Sequence, residues 1–182
     1  MKVTPLALRG PLLIEPEIFR DARGAFFESW NARAYAALDI PAMFKQENVS
    51  ISQRFVLRGL HYQLPRPQGK LIRVLSGEIF DVVVDLRRSS AAFGTSASLR
   101  LQASCHRSLW VPPGFAHGLL ALADDTCVQY KVTDFWQPDC ERTLAWNDPE
   151  LAISWPLPAG TEPILSAKDR LGRPLGEAET FT

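Results

Sequence analysis

Proline and glycine interrupt this chain so often that long helices have little room: fourteen prolines and eleven glycines stand among 182 residues. The segments between them are short and either alternate in polarity or are wholly apolar, which fits the strands of a sandwich or barrel better than a helical bundle. An all-β fold is the expectation. At 46% hydrophobic residues the chain carries enough apolar mass to bury a core, and without linker or repeat a single domain over residues 1–182 is expected.

Taken in order, residues 12–19 and 25–30 read as strands around a turn at Asp21-Ala22-Arg23-Gly24, where Gly24 can supply positive φ. Asn31 can cap a short helix in ARAYAALDI that Pro41 ends. From Phe44 to Ser52 the residues alternate, with Gln46, Asn48, Ser50 and Ser52 on one face and Glu47, Val49 and Ile51 on the other. Leu71–Leu75, a Ser76-Gly77 turn and GEIFDVVVDL then read as a hairpin. Its second arm sets Phe80, Val82, Val84 and Leu86 against a face holding Asp81 and Asp85, expected to be solvated or to partner a nearby basic group. Runs at 98–103, 107–112 and 126–133 add strands, and the Pro-rich tail from Trp146 should wrap them as loops and short helical turns. There Ser166 can cap a turn starting at Ala167, leaving Lys168 near a helix N-terminus, an unfavourable place for a cation unless a ligand accounts for it.

Charge excludes some functions. Twenty basic residues are spread among twenty acids, so nothing recommends nucleic acid or an anionic membrane surface as partner. Cys105, Cys127 and Cys140 are an odd set without C-x-x-C spacing, which fits neither a disulfide framework nor a zinc ribbon and implies a reducing compartment. Pro5, Arg9 and Pro11 break the first apolar run, and no later run reaches membrane-spanning length. A cytoplasmic protein is expected.

Two stretches carry chemistry. Val56–Lys70 surrounds His61 with basic side chains, which suits proton transfer on an anionic substrate, although a surface strand with a hydrogen-bonded histidine would look the same. Val111-Pro-Pro-Gly-Phe-Ala-His117 contains P-x-G-x-x-H, which resembles the second signature of the cupin barrel. A cupin metal site also needs H-x-H followed by glutamate; here the chain has His61-Tyr62-Gln63, with only His106 to spare, so no metal site is expected.

FRDARGAFFESW, QENVSIS, LRGLHYQ, QGKLIRVLSGEIFDVVVDLR, SSAAFG, LWVPPGFAHGLLAL, VQYKVTDFW, ERTLAWNDPELAISWP and LSAKD, in that order, resemble the dTDP-4-dehydrorhamnose 3,5-epimerase family. The resemblance implies a metal-free cupin jelly roll, or double-stranded β-helix, with a few short helices and no cofactor. It implies a dTDP-4-keto-6-deoxyhexose substrate inverted at C3 and C5 through an enolate. His61 matches the base, Asp169 the carboxylate that orients it, Tyr130 the acid on the opposite face and Lys70 the cation beside the C4 oxygen. Taken alone, Tyr130 alternates with Val128 and Val132 and would be read as core.

By the same resemblance, Arg23, Glu28, Gln46, Asn48, Arg58, His117, Glu141 and Lys168 line the nucleotide-sugar site. Trp136, where many relatives carry tyrosine, would stack on thymine. Family members are homodimers that exchange N-terminal strands, so Arg23 and Glu28 can serve the neighbour. Arg58 and His61 are separated by an odd interval, and Gly59 is the expected host of a bulge that turns both into one pocket. A C3-only epimerase, a ketoisomerase of the same sugar nucleotide, a non-catalytic sugar-nucleotide binder and a metal-dependent cupin are the alternatives.

Overall fold

The computed structural model describes residues 1–182. Its strands are β1 Lys2–Pro5, β2 Leu12–Glu15, β3 Ile18–Asp21, β4 Gly24–Phe27, β5 Gln46–Ser52, β6 Leu57–Gln63, β7 Lys70–Ser76, β8 Glu78–Asp85, β9 Ser96–Gln102, β10 Ser108–Val111, β11 Phe115–Ala121, β12 Thr126–Val132 and β13 Glu141–Thr143. Six form one antiparallel sheet in the order β1-β2-β10-β7-β12-β5, and five form a second in the order β13-β6-β11-β8-β9. The two sheets face each other as a jelly roll of the cupin kind. β3 and β4 stand apart as a two-stranded ribbon.

Apolar side chains from both sheets, among them Ile72, Val74, Val83, Leu109, Leu119 and Val128, fill the space between them. Each such side chain withdrawn from water contributes about 1.5–3 kcal/mol before entropy is counted. Both outer faces are covered as well. The helix α1, Ala32–Ala36, lays Tyr35 on Ile14, Leu71 and Trp110, while the tail packs Leu151, Trp155 and Phe181 over Val82, Val84 and Leu86. Asn31 caps α1 through its side-chain oxygen, which accepts from the Arg33 and Ala34 N–H groups. Asp39, at φ +58°, turns the chain before Pro41 is reached, so the helix is shorter than expected.

Three local expectations change. The run 12–19 is divided at Pro16, so that β2 joins the barrel while β3 leaves for the ribbon. β7 and β8 do not pair with each other: β7 lies between β10 and β12, and β8 between β11 and β9. The two-residue turn is therefore a corner between sheets. Gly77, at φ +78°, makes it possible, since a Cβ there would lie 2.4 Å from Thr126 Oγ1. Asp81 and Asp85 are not solvated but fully buried, because the side of β8 they share with Ile79 and Val83 faces the space between the sheets, while the tail covers the other side. Asp85 partners Arg87, as a structural carboxylate should.

The three cysteines are free. No helix is long and apolar enough to cross a membrane.

Candidate active site

His61 reaches the barrel interior because β6 carries one extra residue. His117 pairs with His61 and Leu119 with Arg58, so three steps along β6 span two along β11. Gly59 sits in this bulge at φ +132°, where a Cβ would come within 2.5 Å of Gly118 Cα. The bulge brings Arg58 and His61 to the same cavity.

That cavity has a volume of about 560 Å³ and opens between the sheets. His61, Arg58 and His117 enter it from the five-stranded sheet, and Lys70, Tyr130 and Asn48 from the six-stranded sheet. Trp136, Glu141, Lys168 and Asp169 close it from the loops, β13 and the tail. Ser50, Gln68, Leu119, Val132 and Ser166, which motif matching had not singled out, complete the lining. Ser50 shares with Asn48 the polar face that alternation gave β5, and the structure turns these two residues of it to the cavity.

His61 Nε2 meets Asp169 Oδ1 at 2.5 Å, leaving the second ring nitrogen for a substrate. Asp169 lies in the short helix α2, Ala167–Arg170; Ser166 Oγ accepts from its N–H and donates to its Oδ2 at 2.7 Å. Burial pulls Asp169 upward, but the hydrogen bonds from His61 and Ser166 outweigh it and hold the carboxyl below its ordinary range. Burial pushes His61 down despite Asp169, so the imidazole is neutral and basic at neutral pH. Lys168, in the helix's only full turn, pairs with Glu141 Oε1 at 2.7 Å, which accounts for its place near an N-terminus.

Lys70 Nζ donates to the His61 carbonyl at 2.9 Å. Burial lowers its pKa to about 8, with Glu141 and Asp81 holding it from falling further. Tyr130 OH shares a hydrogen bond with Ser50 Oγ at 3.1 Å. Burial pushes that phenol up to about 12, so it keeps its proton over the whole neutral range. Behind His117 lies a carboxylate that the sequence reading had set aside: Asp81 Oδ2 meets His117 Nε2 at 2.8 Å. Its Oδ1 has no partner. The alternation of β8, which put Asp81 on the face of Ile79 and Val83, was the signal for it.

Trp136 is half exposed at the mouth. Its backbone N–H donates to Gln46 Oε1 at 2.9 Å, so Gln46 stands behind the tryptophan instead of lining the cavity. Asp134 anchors the same loop through Lys45 at 2.8 Å and Arg66 at 2.9 Å. Arg23 and Glu28 do not reach the cavity of their own chain. Arg23 pairs with Asp21 at the ribbon tip, and Glu28 accepts from Asn31. No group of three or more His, Cys, Asp or Glu side chains is placed to hold a metal ion.

A jelly-roll barrel whose open end gathers an oriented imidazole, a buried ammonium and a protonated phenol defines an acid–base isomerase of the cupin class. The family model described as dTDP-4-dehydrorhamnose 3,5-epimerase matches residues 5–177, and the chain belongs to that family. It is 51% identical over 182 residues to the dTDP-4-dehydrorhamnose 3,5-epimerase of Pseudomonas aeruginosa, covering 100% of this chain and 99% of that one. It is also similar to the crystal structure of a 3,5-epimerase from Legionella pneumophila in complex with dTDP-4-keto-L-rhamnose. There the TM-score is 0.93 and the identity 41%, over 98% of this chain and 94% of the other. A 3'-monoepimerase from Streptomyces bikiniensis, in complex with dTDP-quinovose, has the same fold at a TM-score of 0.88 and 32% identity, over 94% and 87% of the two chains.

Proposed function

We propose that this isomerase inverts C3 and C5 of dTDP-4-dehydro-6-deoxy-D-glucose to give dTDP-4-dehydro-L-rhamnose, with residues 1–182 acting as one catalytic domain. The observation that carries the reading is that a neutral base, His61, and a protonated acid, Tyr130, enter one cavity from opposing sheets.

The C4 carbonyl acidifies the hydrogens on both neighbouring carbons. His61 removes one, and Asp169 stabilises the imidazolium that forms. Negative charge moves to the C4 oxygen, where the Lys70 ammonium stabilises the enolate. Tyr130 returns a proton to the other face, and the centre is inverted. Arg58 supplies a planar fork for the diphosphate, and Trp136 a face for thymine. Glu141, Lys168, Asn48 and His117 remain to position the sugar and its phosphates.

The functional unit is a homodimer in the cytoplasm. Two unpaired features support the pairing. β5 is an edge strand whose outward Val49 and Ile51 are 55% and 66% exposed, and the β3–β4 ribbon leaves Phe19 and Phe26 58% and 74% exposed. Laying the ribbon beside a neighbour's β5 would cover these side chains and carry Arg23 and Glu28 to the neighbour's cavity.

Turnover in deuterated water tests the chemistry: label is expected at C3 and C5 of an L-configured product. Label at C3 alone would make the protein a 3-epimerase, and label at neither carbon would refute the proposal.

A further inference from the structure

Two inversions on one bound sugar pose a problem of proton supply, and this inference rests on the double epimerisation proposed above. Each inversion consumes the Tyr130 proton, so the phenol must be recharged before the second can occur.

Tyr130 is deeply set, and the one hydrogen-bond partner of its hydroxyl is Ser50 Oγ. Register explains the contact. On the β5–β12 ladder Tyr130 stands opposite Asn48 and Ser50 opposite Val128, so the serine is the diagonal neighbour on the cavity side. Arg58, whose charge also bears on the phenol, is turned away to Ser52 Oγ at 3.1 Å and the Ile51 carbonyl at 3.5 Å. Ser50 is half-buried and lines the cavity beside Asn48, which is exposed. A hydroxyl so placed touches the phenol on one side and solvent-facing space on the other.

We propose that Ser50 is a positioning residue that recharges Tyr130 between the two inversions. When Tyr130 has given its proton to carbon, Ser50 passes its own proton to the phenolate oxygen and takes one from water. The water O–H bond breaks as the serine O–H bond is remade. The hydroxide left behind is neutralised by the proton that His61 releases to solvent, so one proton enters for each that leaves. A hydrogen bond to the phenolate also holds that anion in place meanwhile.

The test compares Ser50→Ala and Ser50→Thr with the unaltered protein in deuterated water, using dTDP-4-dehydro-6-deoxy-D-glucose. Label taken up with retention, which needs only His61, is measured separately from label taken up with inversion. Ser50→Ala is expected to slow inversion roughly tenfold or more while KM stays within about twofold, so the ratio of retained exchange to inversion rises by the same factor. Ser50→Thr, which keeps the hydroxyl, is expected to restore the ratio. An unchanged ratio in Ser50→Ala, or equal losses in both variants, would overturn the inference while leaving the epimerase standing. If the unaltered protein takes up no label at either carbon, the epimerase reading and this inference fall together.

Discussion

His61 and His117 are direct partners across the β6–β11 ladder, and each is backed by its own buried carboxylate. The two pairs differ in what the carboxylate sees. Asp169 is held low by hydrogen bonds, whereas burial drives Asp81 upward against the pull of His117 and Lys70. Asp169 therefore stays anionic and can stabilise an imidazolium formed at His61. This asymmetry favours the proposed role of His61 as the base.

His61→Ala should stop deuterium exchange at both carbons and lower kcat by about 10²–10⁴-fold. Asp169→Asn keeps the shape but removes the charge, so a smaller loss in kcat with little change in KM is expected. Steady-state kinetics together with label uptake by NMR would separate the two. Exchange surviving in His61→Ala would move the base elsewhere.

Lys70 should set the alkaline side of the pH profile. Its ammonium is the useful form and its pKa is about 8, so kcat/KM should fall as pH rises through that value. His61 should set the acid side, below its ordinary value of about 6.5, because only neutral imidazole accepts a proton. Stability runs the other way. In the window between about 8 and the unfolded value near 10.4 the unfolded chain holds a proton that the folded chain lacks, so this group's effect is to raise stability with pH. Lys70→Met should accordingly melt at a higher temperature at pH 7 while losing roughly 10²–10³-fold in kcat. Calorimetry and a rate assay on one preparation would check both.

Trp136 and its anchor should affect binding more than chemistry. Trp136→Ala removes a stacking face worth about 1–3 kcal/mol, a rise in KM of roughly 5- to 150-fold, whereas Trp136→Tyr keeps the face and should stay near the original. Asp134, which the Lys45 hydrogen bond and Arg66 hold down at about 2, remains ionised at any working pH. Asp134→Ala releases both cations and should raise KM with kcat nearly unchanged. Titration with dTDP would show the same order of affinities.

Gly59→Ala tests the bulge. The new methyl would collide with Gly118 backbone at a φ that side chains rarely adopt, a strain of about 1–3 kcal/mol from the backbone alone. A lower melting temperature and a loss of turnover are expected together, since β6 can relax only by turning His61 or Arg58 out of the cavity. A variant with normal stability and activity would show that the bulge is dispensable.

Val49→Asp combined with Ile51→Asp puts charge on the outward face of β5, opposite the cavity. Sedimentation should show a monomer, and KM should rise because the ribbon with Arg23 and Glu28 would no longer be delivered. A dimer persisting in this variant would place the interface elsewhere.

Much of this architecture is written in local pattern. The caps at Asn31 and Ser166, the alternation of β5 and the odd spacing of Arg58 and His61 are events within a few residues, and side-chain periodicity is enough to read them. What escaped depends on partners distant in sequence. The Ser76-Gly77 turn joins two sheets because β10, β12, β9 and β11 take the pairing edges that β7 and β8 could have offered each other. Asp81 looked solvated because nothing within β8 says that a tail some seventy residues later will cover its far side and leave the carboxylate inside. Gln46 follows the same logic: its strand face is as read, but the Trp136 loop, some ninety residues later, claims its side-chain oxygen.

Every strand of the barrel is complete by Thr143 in the chain, whereas the carboxylate that meets His61 is residue 169. The walls of the vessel and the part that aims its base are thus separate stretches of one chain, brought together only when the tail packs Leu151, Trp155 and Phe181 against the barrel.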